Sequence, residues 1–276
     1  MTTSTATAVR TAAARATGLN KVYGEGETRV VALDDVSVEF PRGEFTAIMG
    51  PSGSGKSTFL RCINHLEKIN GGLLSVDGEL VGYRMKGGRL HELKDREVAQ
   101  KRRDIGMVFQ HFNLFPHMTA LENVTEAPVQ VRKETKAAAR ERGMALLERV
   151  GLADKSETLT DQMSGGQAQR LSIACALAHD PELVFLDEPT TGLDPQARRN
   201  LWDLLRDINR EGRTVVLTTH YLDEAEVLCD RVSIMDHGRI LHTGAPAALI
   251  REIDDTVRIS VASGQLPVER ARELLA

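Results

Sequence analysis

One stretch constrains this chain more than any other: Gly50, Pro51, Ser52, Gly53, Ser54, Gly55, Lys56, Ser57 and Thr58. The apolar run Phe45-Thr46-Ala47-Ile48-Met49 precedes it, and Phe59-Leu60-Arg61-Cys62-Ile63 follows. The order reads as a strand, a glycine-rich turn and a helix. Three glycines let the backbone fold until its N–H groups converge, and a helix starting near Lys56 adds the positive end of its dipole at the same point. Such a point holds an anion. Lys56 is placed to reach the outer phosphates of a nucleotide, and the Ser57 hydroxyl to ligate the accompanying magnesium ion. The simpler alternative is a flexible Gly/Ser turn that carries a lysine. Chance yields G-x4-G-K-[ST] in roughly one chain of this length in a hundred, and the flanking strand and helix lower that further.

Two later apolar runs, Leu183-Val184-Phe185-Leu186 and Thr214-Val215-Val216-Leu217-Thr218, are rich in β-formers with no polar alternation. Strands of that kind are buried on both faces, as in a parallel sheet flanked by helices. The first ends in Asp187-Glu188-Pro189. An aspartate at the carboxyl end of such a strand, in a sheet that also carries a phosphate loop, is placed to hold magnesium; Glu188 beside it is placed to polarise an attacking water. Taken alone, the pair is equally the start of a loop. His220 follows the second run, where it either senses a terminal phosphate or serves as a structural histidine. Ser164, Gly165, Gly166 and Gln167 open another helix, a second anion-facing glycine turn whose simplest use is the nucleotide of a neighbouring molecule.

Length and composition bound the rest. A chain of 276 residues with 41% hydrophobic and 27% charged residues buries a substantial core, and a net charge of -4 lacks the basic balance of a nucleic-acid binder. No segment reaches the roughly 20 apolar residues that cross a bilayer. Cys62, Cys175 and Cys229 are dispersed and odd in number, as buried thiols in a reducing compartment are.

The first seventeen residues, rich in Thr, Ala and Arg, read as a flexible tail. Order is expected from Leu19, with separate strands at Val30–Leu33 and Val36–Phe40 and a hairpin through the Asp77-Gly78 turn. Residues 82 to 104 read as a solvated helix or loop, and Thr119 to Ala153 as helical. A closing hairpin turns at Gly238. After Pro246 come a helix, a strand near Val257 to Val261 and a last helix with no stop signal, a small appendage that reads as cut short. Tyr23 offers its ring either to an adenine or to the core at a strand end.

The phosphate loop, Gln110, Ser164-Gly165-Gly166-Gln167, Leu186-Asp187-Glu188-Pro189, Leu193-Asp194 and His220 together resemble the ATP-binding subunit of ABC transporters over about residues 18 to 245. The resemblance implies an α/β fold of the P-loop NTPase class: a RecA-like core (18–109 and 176–245) with an antiparallel β edge, an inserted helical subdomain (110–175), and the appendage at 246–276. It also implies a homodimer closing head to tail on two ATP molecules with Mg2+. Tyr23 then stacks adenine, Gln110 joins Ser57 and Asp187 at the metal, Glu188 is the general base, His220 contacts the terminal phosphate and Asp194 joins the two sites. Met163, Ala168 and Cys175 depart from the family pattern, which bears on assembly rather than nucleotide binding.

The resemblance changes along the chain. The residues up to the phosphate loop, notably Val22 to Thr28, are similar to lipoprotein-release and macrolide exporters, Arg61 to Lys133 to polar amino acid importers, and Leu171 onward to drug and polysaccharide exporters, as in a recombined or designed chain. The importer-like middle favours ATP hydrolysis driving polar amino acid uptake through transmembrane subunits at the cytoplasmic face of the plasma membrane. The alternatives are an exporter, a soluble ABC ATPase acting on ribosomes or DNA, and a small-molecule kinase.

Overall fold

The computed structural model describes residues 12–102 and 105–253. Strands β1 (Ala12–Tyr23) and β2 (Val30–Pro41) lead into β3 (Phe45–Met49) and helix α1 (Lys56–Ile63). Four short strands follow, β4 (Gly71–Val76), β5 (Glu79–Leu80), β6 (Tyr83–Lys86) and β7 (Arg89–Glu92), then α2 (Asp95–Lys101) and β8 (Ile105–Val108). Helices α3 (Ala120–Gln130), α4 (Lys136–Arg149) and α5 (Gly165–Leu177) come before β9 (Leu183–Asp187). The chain continues through α6 (Pro195–Arg210), β10 (Thr214–Thr219), α7 (Leu222–Leu228), β11 (Arg231–Asp236), β12 (Arg239–Gly244) and α8 (Pro246–Ile253).

The main sheet has the order β12-β11-β3-β10-β9-β8, parallel except for the β11–β12 hairpin. Every residue of β9 and β10 is buried, which is why both lack polar alternation. This arrangement brings the ends of β3, β9 and β10 side by side: Thr218 registers with both Ile48 and Asp187. An antiparallel sheet of order β2-β1-β4-β5 packs across α1, where the rings of Phe59 and Phe185 meet Phe40 with centroids 6.1 and 6.4 Å away. Helices α3, α4 and α5 share a core of their own around Leu121, Leu147 and Leu171.

Helix ends follow their sequences. Thr119 caps α3 in a reciprocal box with Glu122, and Asp194 caps α6 with Pro195 in its first turn. Gly151, at φ 67°, stops α4, and Asp77 and Gly78, both at positive φ, turn the β4–β5 hairpin. The three cysteines are free.

The structure departs from the sequence reading in three places. First, β1 begins at Ala12, so residues 12 to 17 are strand rather than tail; Ala13, Ala14 and Ala16 are buried because β1 lies between β2 and β4. Second, Val30 to Pro41 is one strand. Asp35 takes a left-handed φ of 54°, and the pairing with β1 shifts register along this stretch, so the strand kinks without ending. Third, residues 82 to 104 contain the β6–β7 hairpin and α2. The strand and helix expected beyond Ile253 lie outside the described residues.

Candidate active site

The glycine-rich turn joins β3 to α1 and rests on the chain behind it. The N–H of Gly50 donates to Thr219 O at 3.3 Å, and the N–H of Gly238 donates to Ser54 O at 2.9 Å. A Cβ on Gly50 would stand 2.0 Å from Met235 O, and one on Gly55, at φ 104°, would stand 2.5 Å from Ala32 O. No other residue fits those two positions. Gly55 is also the N-cap of α1 and supplies no side-chain cap, which leaves the N–H groups of the first turn for an outside acceptor.

Lys56 is buried beneath this turn, with Nζ donating to Gly50 O (2.8 Å) and Pro51 O (2.9 Å) and lying 3.8 Å from Glu188 Oε1. Burial pushes its ammonium below the usual lysine value, and the Glu188 and Asp187 carboxylates partly offset that. The result is a cation held close to the uncapped helix end. This donor set suits phosphate oxygens.

The carboxylates sit at the end of β9. Asp187 Oδ1 accepts hydrogen bonds from Ser57 Oγ (3.0 Å) and Thr218 Oγ1 (2.7 Å), and Thr218 Oγ1 in turn accepts the N–H of Glu188 at 2.9 Å. Glu188 holds a left-handed φ of 46°, a conformation that costs a non-glycine residue about 1–3 kcal/mol. Its Oε2 accepts from Thr191 Oγ1 at 3.1 Å and lies 3.4 Å from His220 Nδ1. His220 stacks on Tyr221 with centroids 4.1 Å apart, and the Arg198 guanidinium covers the other ring at 4.3 Å. Ser57 and Asp187 form a hard-oxygen pair that fits magnesium. Among the described residues no group of three His, Cys, Asp or Glu side chains could hold a metal alone, so further ligands would come from elsewhere.

Lys56, Ser57, Asp187, Glu188 and His220 are therefore assembled in one place. Gln110 follows β8 directly, two residues beyond Val108, which registers with Leu186, and so lies at the same sheet end. Ser52, Gly53 and Pro51 line the exposed side of the turn, while Ser54 is buried and Thr58 half-buried in α1's first turn. Tyr23 is half-buried at the end of β1 with Lys21 Nζ 4.6 Å from its ring centroid. The second glycine turn stays apart. Ser164 and Gln167 close a capping box on α5, with Ser164 Oγ accepting the Gln167 N–H at 3.3 Å, and among the described residues none of Ser164 to Gln167 bonds to the phosphate loop. Asp194 accepts the N–H groups of Gln196 and Ala197, both at 2.9 Å. As site residues, Thr218 and Thr191 were missing from the sequence reading: Thr218 is one of three threonines in β10 and Thr191 lies in the turn after Pro189, and neither position signals its partner.

Comparison with known proteins bears on the family and the fold. A family model described as ABC transporter matches residues 33–191. ArgV, the arginine transport ATP-binding protein of Corynebacterium glutamicum, is 46% identical over 230 residues, covering 83% of this chain and 89% of that protein. GlnQ, the glutamine transport ATP-binding protein of Bacillus subtilis, is 42% identical over 229 residues, covering 83% and 89%. The ATP-binding cassette MJ0796, solved as a dimer in a post-hydrolysis state bound to ADP and Pi, shares the fold with a TM-score of 0.75 and 34% identity, covering 84% of this chain and 98% of that one. With a P-loop fold, a lysine under its glycine turn, paired carboxylates at the adjoining strand end and relatives matched across most of its length, this chain belongs to the ABC transporter family.

Proposed function

We propose that the chain is the ATP-hydrolysing subunit of an importer for polar amino acids, working at the cytoplasmic face of the plasma membrane beside membrane-spanning subunits. The observation that carries the reading is the convergence of Lys56, Ser57, Asp187 and Glu188 at one sheet end. The transport class rests on relatives named for arginine and glutamine transport. No helix among the described residues is long and apolar enough to cross a membrane, and in this reading the spans belong to the partner subunits.

Each residue then has a task. The N–H groups from Gly53 to Thr58 and the Lys56 ammonium hold the outer phosphates, and Tyr23 stacks the adenine. Ser57 Oγ and Asp187, with Gln110 from the end of β8, would hold Mg2+, which supplies charge neutralisation on the phosphates. Glu188 takes a proton from water as the water oxygen bonds to the terminal phosphorus and the bond to the ADP oxygen breaks. His220 orients the Glu188 carboxylate and faces the same phosphate.

Ser164 and Gly165 are exposed and bonded only locally, which suits a role on the ATP of a second copy, with Asp194 between the two sites. In this proposal residues 18–245 form the ATPase unit, residues 110–175 its helical subdomain and residues 246–276 an appendage. The recombined origin is a separate proposal, which intact occurrence between importer genes would overturn.

The test is reconstitution in proteoliposomes with the co-purifying membrane subunits. ATP-driven uptake of labelled arginine or glutamine supports the reading; ATP-driven export, or phosphate transfer to an acceptor other than water, refutes it. Mixing a Ser164 variant with a Lys56 variant restores one competent interface per dimer if the sites are shared, and an absence of rescue removes that part.

A further inference from the structure

The β6–β7 hairpin has no task in hydrolysis, yet its chemistry is sharply divided. Its register pairs Tyr83 with Glu92, Arg84 with His91, Met85 with Leu90 and Lys86 with Arg89, around a Gly87-Gly88 turn at positive φ. Side chains alternate between faces along a strand, so Arg84, Lys86, Arg89 and His91 share one face and Met85 and Leu90 lie on the other with Tyr83 and Glu92, whose carboxylate pairs with Lys68. Met85 is 59% and Leu90 47% exposed. The apolar face continues toward Leu73, itself exposed, across a groove of about 190 Å³ that Ile69, Leu74 and Tyr83 also line.

Arg84 pairs with Glu97 of α2 at 3.0 Å, but Lys86, Arg89 and His91 form no ion pair among the described residues. Like charges directly opposite each other weaken a hairpin, so the Lys86–Arg89 pair carries a repulsion that an anion between them relieves. A ribbon two strands wide and roughly 13 Å long is too small to supply the roughly 800 Å² per partner of a stable protein interface. A ribbon with cations on one face and exposed apolar side chains on the other suits a charged bilayer surface, where it lies in the interface with the apolar face at the acyl boundary and the long basic side chains at headgroup level.

We infer that the β6–β7 hairpin docks on anionic lipid headgroups of the membrane beside which the chain works. The inference rests on the transporter reading for its setting, but its test needs no transport. The full chain, without ATP and at low salt, is sedimented with vesicles containing about one-third phosphatidylglycerol, and with pure phosphatidylcholine vesicles. It is expected on the first and not on the second, with binding lost as salt rises. Each Lys or Arg near an anionic surface strengthens the partition about fivefold, so Lys86→Gln/Arg89→Gln weakens it about 25-fold. Met85→Ser/Leu90→Ser also weakens it, and both hairpin variants keep the ATPase rate of the parent chain.

Arg206→Gln/Arg210→Gln makes the same charge change on α6 and should leave the partition unaltered. Undiminished binding by the hairpin variants, or an equal loss in the α6 variant, overturns the inference. So does retention on an RNA homopolymer without retention on vesicles. Failure here leaves ATP hydrolysis standing, and loss of hydrolysis with vesicle binding intact removes only the other reading.

Discussion

Thr218 holds Asp187 in place: its hydroxyl donates to the carboxylate at 2.7 Å while accepting the N–H of Glu188 at 2.9 Å. One buried oxygen thus fixes both acidic residues and stabilises the left-handed backbone at Glu188. Thr218→Val keeps the shape and removes both bonds, leaving a buried N–H unsatisfied at a cost of roughly 1–3 kcal/mol. Thermal unfolding is expected to move down accordingly, and ATP turnover to fall about tenfold or more because the carboxylates lose their alignment. Thr218→Ser should recover most of both, and a Val variant with full turnover would show that the bridge has no part in catalysis.

Lys56 places its ammonium beneath the phosphate turn, and its burial already disfavours its charge. Lys56→Ala is therefore expected to lower ATP turnover by about a hundredfold or more, as loss of a direct charge-stabilising donor does. Lys56→Met should unfold no lower than the parent chain, since it removes a buried charge while filling the same space. Unchanged turnover in the alanine variant would refute the phosphate assignment.

Glu188→Gln retains an acceptor for Thr191 but not the ability to take a proton. Removing a general base costs about 10²–10⁴ in rate. ATP binding should persist, so the variant is expected to accumulate as an ATP-bound dimer on size-exclusion chromatography with magnesium. A variant that stays monomeric with saturating ATP would count against both the base assignment and head-to-tail closure.

What the sequence made legible was local chemistry. The phosphate turn and the Asp187-Glu188 pair are consecutive residues whose backbone behaviour and charge decide their use. Thr218 was not legible, because its partnership with Asp187 exists only once β10 lies between β3 and β9. Ala13, Ala14 and Ala16 hid the start of β1, being too small to show an apolar pattern although the central position of that strand buries them. The hairpin from Tyr83 to Glu92 alternates up to His91, but Glu92 breaks the pattern and the charges around it made the segment read as solvated helix or loop. The second glycine turn was readable as a feature and not as a place: its distance from the first within one chain is set by the helices between β8 and β9.

Gly165 separates folding from assembly. It opens α5, and a Cβ there would meet nothing within 4 Å. Gly165→Ala should therefore leave the isolated chain as stable as before, or gain up to about 1 kcal/mol from helix propensity. If this turn meets the ATP of a second copy, the added methyl occupies the approach of the phosphates, and turnover should fall about tenfold or more. Measuring unfolding temperature and ATPase rate on the same sample distinguishes the two effects; an active, stable variant would place the second turn outside the shared site.

Glu224 gives the chain a pH dependence of readable sign. It is fully buried on α7, where Trp202 Nε1 donates to its Oε1 at 3.1 Å. Burial drives its carboxyl above the usual value of 4.5, only partly offset by the nearby Thr219 and Thr190 hydroxyls, the Trp202 hydrogen bond and the Arg198 charge. Between 4.5 and the raised value the folded chain binds this proton more than the unfolded chain does, so this group's contribution to stability falls as pH rises through that window. Glu224→Gln keeps an oxygen for Trp202 and cannot ionise. It is expected to unfold at a higher temperature than the parent near neutral pH, with the difference shrinking as pH approaches 4.5. Trp202→Phe, which strips the partner from Oε1, should instead cost roughly 1–3 kcal/mol. A melting-temperature difference between Glu224→Gln and parent that stays flat across this range would show that the carboxylate is already ionised without penalty, and that polar contacts in the α6–α7 interface outweigh its burial.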